Sequence, residues 1–91
     1  MIIKHAVVKN QIGLRARPAT LFVEVAKRYQ TPIFLRVGEK KVNAKSLLGV
    51  LSCSTLGNTD IEIIATEESS DDAEAACNAL VRLVESDFTE Y

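Results

Sequence analysis

Apolar and polar positions follow two alternating spacings along the chain, and these spacings predict its elements. Residues 2–8 (Ile-Ile-Lys-His-Ala-Val-Val) are rich in β-branched residues and too short for a helix, so they predict a strand. Lys9 to Gly13 read as a polar loop. From Ala16 to Tyr29 the spacing changes: Ala19, Phe22, Val23 and Ala26 fall at i, i+3, i+4 and i+7, one buried stripe of a helix. Pro18 fits only in a first turn, so this helix starts within a few residues of Arg15. Pro32 ends the helical pattern, and Ile33, Leu35 and Val37 alternate with Phe34 and Arg36 as a second strand. A two-residue Gly38-Glu39 connection suits a type II′ turn and returns the chain through Lys40–Asn43. Ser46 is a good N-cap for a short helix from Leu47 to Ser52. Ile61, Ile63 and Ala65 alternate as a fourth strand. Ser70-Asp71-Asp72-Ala73-Glu74 then opens a helix with capping and acidic residues, and its stripe is Ala73, Ala76, Cys77, Leu80, Leu83 and Val84.

The predicted order is β-α-β-β-α-β-α, an α+β fold with a four-stranded antiparallel sheet and the helices on one face. A length of 91 residues fits one domain, residues 1–91. Hydrophobic residues at 47% and charged residues at 25% argue against disorder. Lys4 and His5 interrupt the start before a signal region could form, and no window is apolar enough for a membrane span. A soluble protein with no membrane partner is therefore expected, in the cytoplasm if its thiols are reduced. Cys53 and Cys77 lie far apart without a CxxC pattern, and His5 is the only histidine, so no metal site is expected. Both cysteines sit among small and apolar neighbours and read as buried, reduced thiols.

The net charge of −1 conceals a strong asymmetry. Residues 1–45 carry a balance of +8, and residues 46–91 a balance of −9. A basic half favours anionic partners, whereas mutual neutralisation of the halves on folding is the alternative.

Two constellations carry possible chemistry. The first, Gly13-Leu14-Arg15-Ala16-Arg17-Pro18-Ala19, runs from a glycine loop into a helix start. Unpaired backbone N–H groups there, Ala16 among them, and the planar donor forks of Arg15 and Arg17 suit an anion. The segment holds no nucleophile, and spacing alone favours two solvated arginines beside a capped helix. The second is Asn43-Ala44-Lys45-Ser46-Leu47-Leu48-Gly49-Val50-Leu51. Four large apolar residues cannot all face inward on so short a helix, and Leu48 projects away from the rest. A phosphate on Ser46 would sit at a helix N-terminus, where its charge is tolerated. An ordinary N-cap serine with a surface leucine is the commoner arrangement for any single pair.

Taken together, the two motifs and their separation resemble the HPr family, the small phosphocarrier proteins of the bacterial sugar phosphotransferase system. The resemblance covers nearly the whole chain and implies the open-faced β-sandwich of that family, with no cofactor. It places the family's phosphorylated histidine on Arg15. A neutral imidazole nitrogen attacks and later releases a phosphoryl group, whereas a guanidinium holds its proton and delocalises its lone pairs. The resemblance therefore implies a non-enzymatic regulator without histidine phosphotransfer, similar to the catabolite-repression branch of the family. It implies phosphorylation of Ser46 by an HPr kinase/phosphorylase and corepression with a LacI-type regulator of carbon catabolism. Partner docking is expected through Arg17, Thr20, Lys45, Leu47, Leu48 and Leu51, with Leu48 where such members more often carry methionine. Arg15, Arg17 and Lys45 are expected to converge, since both helix starts approach one another in the family fold.

Two further readings stand beside this one. The chain is a phosphocarrier using another acceptor, or its basic half binds nucleic acid or another anion. No aromatic is interleaved with the arginine cluster, so direct nucleic-acid binding is disfavoured. A first strand joined through a polar loop allows either a monomer or a strand-swapped homodimer.

Overall fold

A computed structural model describes residues 1–9, 13–53, 58–66 and 71–89. Its elements run β1 (Ile2–Val8), α1 (Ala16–Lys27), β2 (Ile33–Val37), β3 (Lys40–Asn43), α2 (Leu47–Leu51), β4 (Thr59–Ala65) and α3 (Asp71–Glu85). Ser70, expected to cap the last helix, lies outside the described residues.

The strands form one antiparallel sheet in the order β1-β4-β2-β3. Register explains which face is buried. Ala6 pairs with Ile61, and Ile63 lies between Lys4 and Leu35, so alternate residues of neighbouring strands share one face. Ala6, Val8, Ile33, Leu35, Ile61, Ile63 and Ala65 are all buried on it. The opposite pleat carries His5, Glu62, Arg36 and Lys41 in one cross-strand row. Among the described residues, the apolar core thus lies mainly on one side of the sheet.

The hairpin between β2 and β3 is a two-residue turn with Val37 opposite Lys40. Gly38 has φ +61° while Glu39 stays at negative φ, as a type II′ turn requires.

Helix α3 buries all six residues of its predicted stripe. Helix α1 buries Ala19, Phe22, Val23 and Ala26, but also Leu21 and Val25. Its buried arc is wider than one stripe because α1 touches both α2 and α3. Ile64 is a comparable addition in β4: it lies on the outer pleat, between Ile3 and Phe34, and is buried there.

Hydrogen bonds also order both ends of α3. The Thr31 amide, between α1 and β2, donates to Asp72 Oδ2 in the first turn of α3 at 2.9 Å. The Thr31 hydroxyl is itself buried without a hydrogen-bond partner. Helix α3 ends in a six-residue cap in which Phe88 N–H donates to Leu83 O at 2.9 Å and Asp87 N–H to Val84 O at 3.1 Å. Asp87 and Phe88 take positive φ, and the buried Phe88 ring joins the core next to Leu83 and Val84.

Ion pairs join the two oppositely charged halves of the chain. Lys4 lies 3.5 Å from Glu74 and Arg36 3.7 Å from Glu62, with the His5 imidazole also 3.7 Å from Glu62. Glu62 and Glu74 of the acidic half thus neutralise part of the basic half, across β1, β2, β4 and α3.

Candidate functional site

Helix α1 begins without a side-chain cap. Arg15 occupies the N-cap in extended backbone (φ −131°, ψ 161°), and Ala16 follows with φ +51°. Gly13, two residues earlier, also has positive φ (+72°), so the chain turns twice before the helix settles. Leu14 is fully buried and anchors this corner from below. Its neighbours Arg15 and Arg17 are exposed, as are Ala16 and Thr20. The Thr20 hydroxyl donates to the Ala16 carbonyl at 3.3 Å and reinforces the first turn. This corner offers backbone N–H groups at a helix start together with two guanidinium groups, an arrangement that suits an oxyanion.

The second corner lies where β3 meets α2. Ser46 is a side-chain cap: its backbone is extended, and Oγ accepts the Gly49 N–H at 3.0 Å. Val50 is the buried residue of α2 and holds the helix against the core. Leu47, Leu48 and Leu51 remain outside, with Leu48 82% exposed. They form an apolar patch one turn long, on an element packed against α1, the helix that carries Arg17 and Thr20.

Lys45 does not join the arginines. Its ammonium donates to the Tyr29 carbonyl at 2.6 Å, just beyond the C-terminal end of α1. The 12 residues of α1 span about 18 Å, so Lys45 and the Arg15–Arg17 pair hold opposite ends of one helix. The expected convergence is thereby corrected. A cation is favoured at a helix C-terminus, and Lys45 takes that place. Nothing local in the sequence signals this contact, because its partners lie 16 residues apart.

His5 lies in β1 on the outer sheet face beside Glu62, away from both corners. Cys53 and Cys77 are free, buried thiols. Burial pushes the Cys53 thiol above its ordinary range, with Lys40 and Ser52 partly opposing the shift. Burial and the nearby Glu74 carboxylate push Cys77 up, partly opposed by Lys4 and a backbone hydrogen bond from Ala65. Among the described residues, no group of three or more His, Cys, Asp or Glu side chains could hold a metal ion. No helix among them is long and apolar enough to cross a membrane.

Residues 2–86 match the family described as the PTS HPr component phosphorylation site. The chain belongs to the HPr family. Among its relatives is the HPr-like protein Crh of Halalkalibacterium halodurans, 40% identical over 87 residues that cover 96% of this chain and all of the relative. The crystal structure of HPr-C-His from Thermoanaerobacter tengcongensis is similar throughout, with TM-score 0.89 and 40% identity over 100% of this chain and 99% of that one. Crh of Bacillus subtilis, the catabolite repression containing protein, matches with TM-score 0.71 and 36% identity over 96% of this chain and 97% of that one. That crystal structure is described as an intertwined dimer with a swapping domain. In this chain that fold presents the arginine-bearing start of α1 and the serine-capped start of α2.

Proposed function

We propose that this HPr-family protein is a non-enzymatic regulator of carbon catabolism, switched by a phosphate on Ser46. The observation that carries this reading is the pairing of the two corners. Ser46 keeps a helix-capping hydroxyl beside an exposed leucine patch, while the start of α1 presents Arg15 where the family resemblance puts the phosphorylated histidine. A guanidinium supplies no free lone pair for a phosphoryl group, so histidine-type transfer has no acceptor at that corner.

In this reading an HPr kinase/phosphorylase modifies Ser46 with ATP. The serine oxygen forms a bond to the γ-phosphorus as the bond to the bridging oxygen breaks, and ADP leaves. The hydroxyl proton passes to a base on the kinase. The phosphorylated protein then docks as corepressor on a LacI-type regulator through Arg17, Thr20, Leu47, Leu48 and Leu51. Arg15, Arg17 and the Ala16 N–H hold an anionic group of the partner. Lys45 shapes this surface from behind through its bond to Tyr29. The protein works in the cytoplasm, as a monomer or as a dimer that exchanges β1, which is an edge strand of the sheet.

The test is incubation with ATP and a cognate HPr kinase, followed by mass spectrometry. One phosphate is expected on the wild type and none on Ser46→Ala. A parallel incubation with phosphoenolpyruvate and the first enzyme of the phosphotransferase system is expected to leave no acid-labile label. Absence of phosphate on wild-type protein in the first reaction, or an acid-labile label in the second, overturns the proposal.

A further inference from the structure

We infer that Asn43 and Gly49 are positioning residues that set the Ser46 hydroxyl for phosphoryl transfer, an inference that rests on the Ser46 reading above. Asn43 is the last residue of β3 and is held in the ladder opposite Phe34. Two of its atoms govern the turn that follows. Its Oδ1 accepts the Lys45 N–H at 2.9 Å, and its carbonyl accepts the Ser46 N–H at 3.0 Å. Between them Ala44 is fully buried, and its N–H donates to Ile33 O at 2.9 Å. The backbone from β3 to Ser46 is thus pinned at three successive amides.

Gly49 then sets the side chain. Its N–H donates to Ser46 Oγ at 3.0 Å. A Cβ at position 49 would lie 3.2 Å from Ser46 Oγ, 3.3 Å from Ser46 Cβ and 3.4 Å from Val42 Cβ. A side chain there pushes the hydroxyl outward by a few tenths of an ångström, because Val42 closes the other side. Glycine is otherwise an unfavourable choice inside a helix, so its lack of a side chain serves the serine and not helix formation.

Phosphoryl transfer depends on placing the attacking oxygen in line with the breaking P–O bond, and misplacement is costly in rate. Asn43 fixes the backbone from which that oxygen projects, and Gly49 fixes the oxygen itself. Neither residue needs to touch the nucleotide.

The experiment compares full-length wild type with Asn43→Ala, Asn43→Asp and Gly49→Ala as substrates of an HPr kinase with ATP. It measures kcat and KM, thermal stability and the amide resonance of residue 49. Asn43→Ala is expected to lower kcat about tenfold with little change in KM, and to shift the Gly49 amide. Asn43→Asp keeps an oxygen acceptor for the Lys45 N–H and is expected to recover to within about twofold of wild type. Gly49→Ala is expected to lower kcat with little change in thermal stability, since the helix preference of alanine offsets the weakened Ser46 cap. Wild-type kcat in both Asn43→Ala and Gly49→Ala overturns the inference. So does an effect confined to KM, or an Asn43→Asp variant as impaired as Asn43→Ala. Wild-type protein that accepts no phosphate removes the Ser46 reading itself, and this role with it.

Discussion

The ammonium of Lys45 closes the C-terminal end of α1 through a 2.6 Å hydrogen bond to the carbonyl of Tyr29. This bond ties the turn before α2 to the helix that carries the arginines. Replacing Lys45 with methionine keeps most of the packed stem and removes the donor. Lys45→Met is therefore expected to lower stability by about 1–2 kcal/mol in urea unfolding. An unchanged unfolding midpoint would show the bond to be energetically idle.

Ala16 takes φ +51°, a conformation that costs an L-residue about 1–2 kcal/mol. Ala16→Gly removes that cost but loosens the unfolded chain by about 0.5–1 kcal/mol, so a neutral or slightly stabilising effect is expected. Glu24→Gly, at an exposed interior position of the same helix, is expected to destabilise by about 0.5–1 kcal/mol. Equal losses in the two variants would contradict the positive φ at position 16.

The Thr31 hydroxyl is buried without a partner, while the Thr31 amide is bonded to Asp72. Valine keeps the shape and the amide but has no hydroxyl to desolvate. Thr31→Val is expected to raise stability by about 1 kcal/mol, read as a higher melting temperature. A lower melting temperature would mean that the hydroxyl has a partner after all.

Leu48 and Leu80 separate surface from core. Leu48 is 82% exposed, so Leu48→Ala is expected to change stability by less than about 0.5 kcal/mol. Leu80 is fully buried, and Leu80→Ala is expected to cost about 2–5 kcal/mol. If Leu48 docks a partner, Leu48→Ala weakens binding of the phosphorylated protein to the LacI-type regulator, measured by titration calorimetry. Unchanged affinity would exclude Leu48 from the interface.

The buried thiols predict a pH dependence. Their folded-state pKa values lie above the unfolded ones, so the folded state holds its thiol protons more tightly. This contribution is fully present below about pH 8.5 and is lost as pH rises through the folded values. A Cys53→Ala/Cys77→Ala variant is expected to lose less stability than wild type between neutral and strongly alkaline pH. Parallel stability curves for the two proteins over that range would sink this prediction.

Much of the architecture is legible locally. Residues 2–8, rich in β-branched side chains, and residues 40–43, returned by the Gly38-Glu39 turn, both form strands. Ser46 looks like an N-cap and bonds the Gly49 N–H as one. The α3 stripe is read correctly from Ala73 to Val84 because a helix with one buried face imposes a fixed period. The same rule misses Leu21 and Val25, since α1 is covered by two neighbouring helices and a stripe describes only one contact.

By itself the sequence determined the order of elements, the buried stripe of each long helix, the two chemical corners and their likeness to the HPr family. These depend on spacing, capping and residue type within a few positions. Tertiary structure alone decided that Lys45 secures the far end of α1, that Asp72 receives the Thr31 amide, and that Glu62 draws together His5 and Arg36. Each contact joins residues remote in the chain, and a charge or a hydrogen-bond donor carries no local mark of its partner. The charge pattern supplied the groups, and chain packing chose which of them meet.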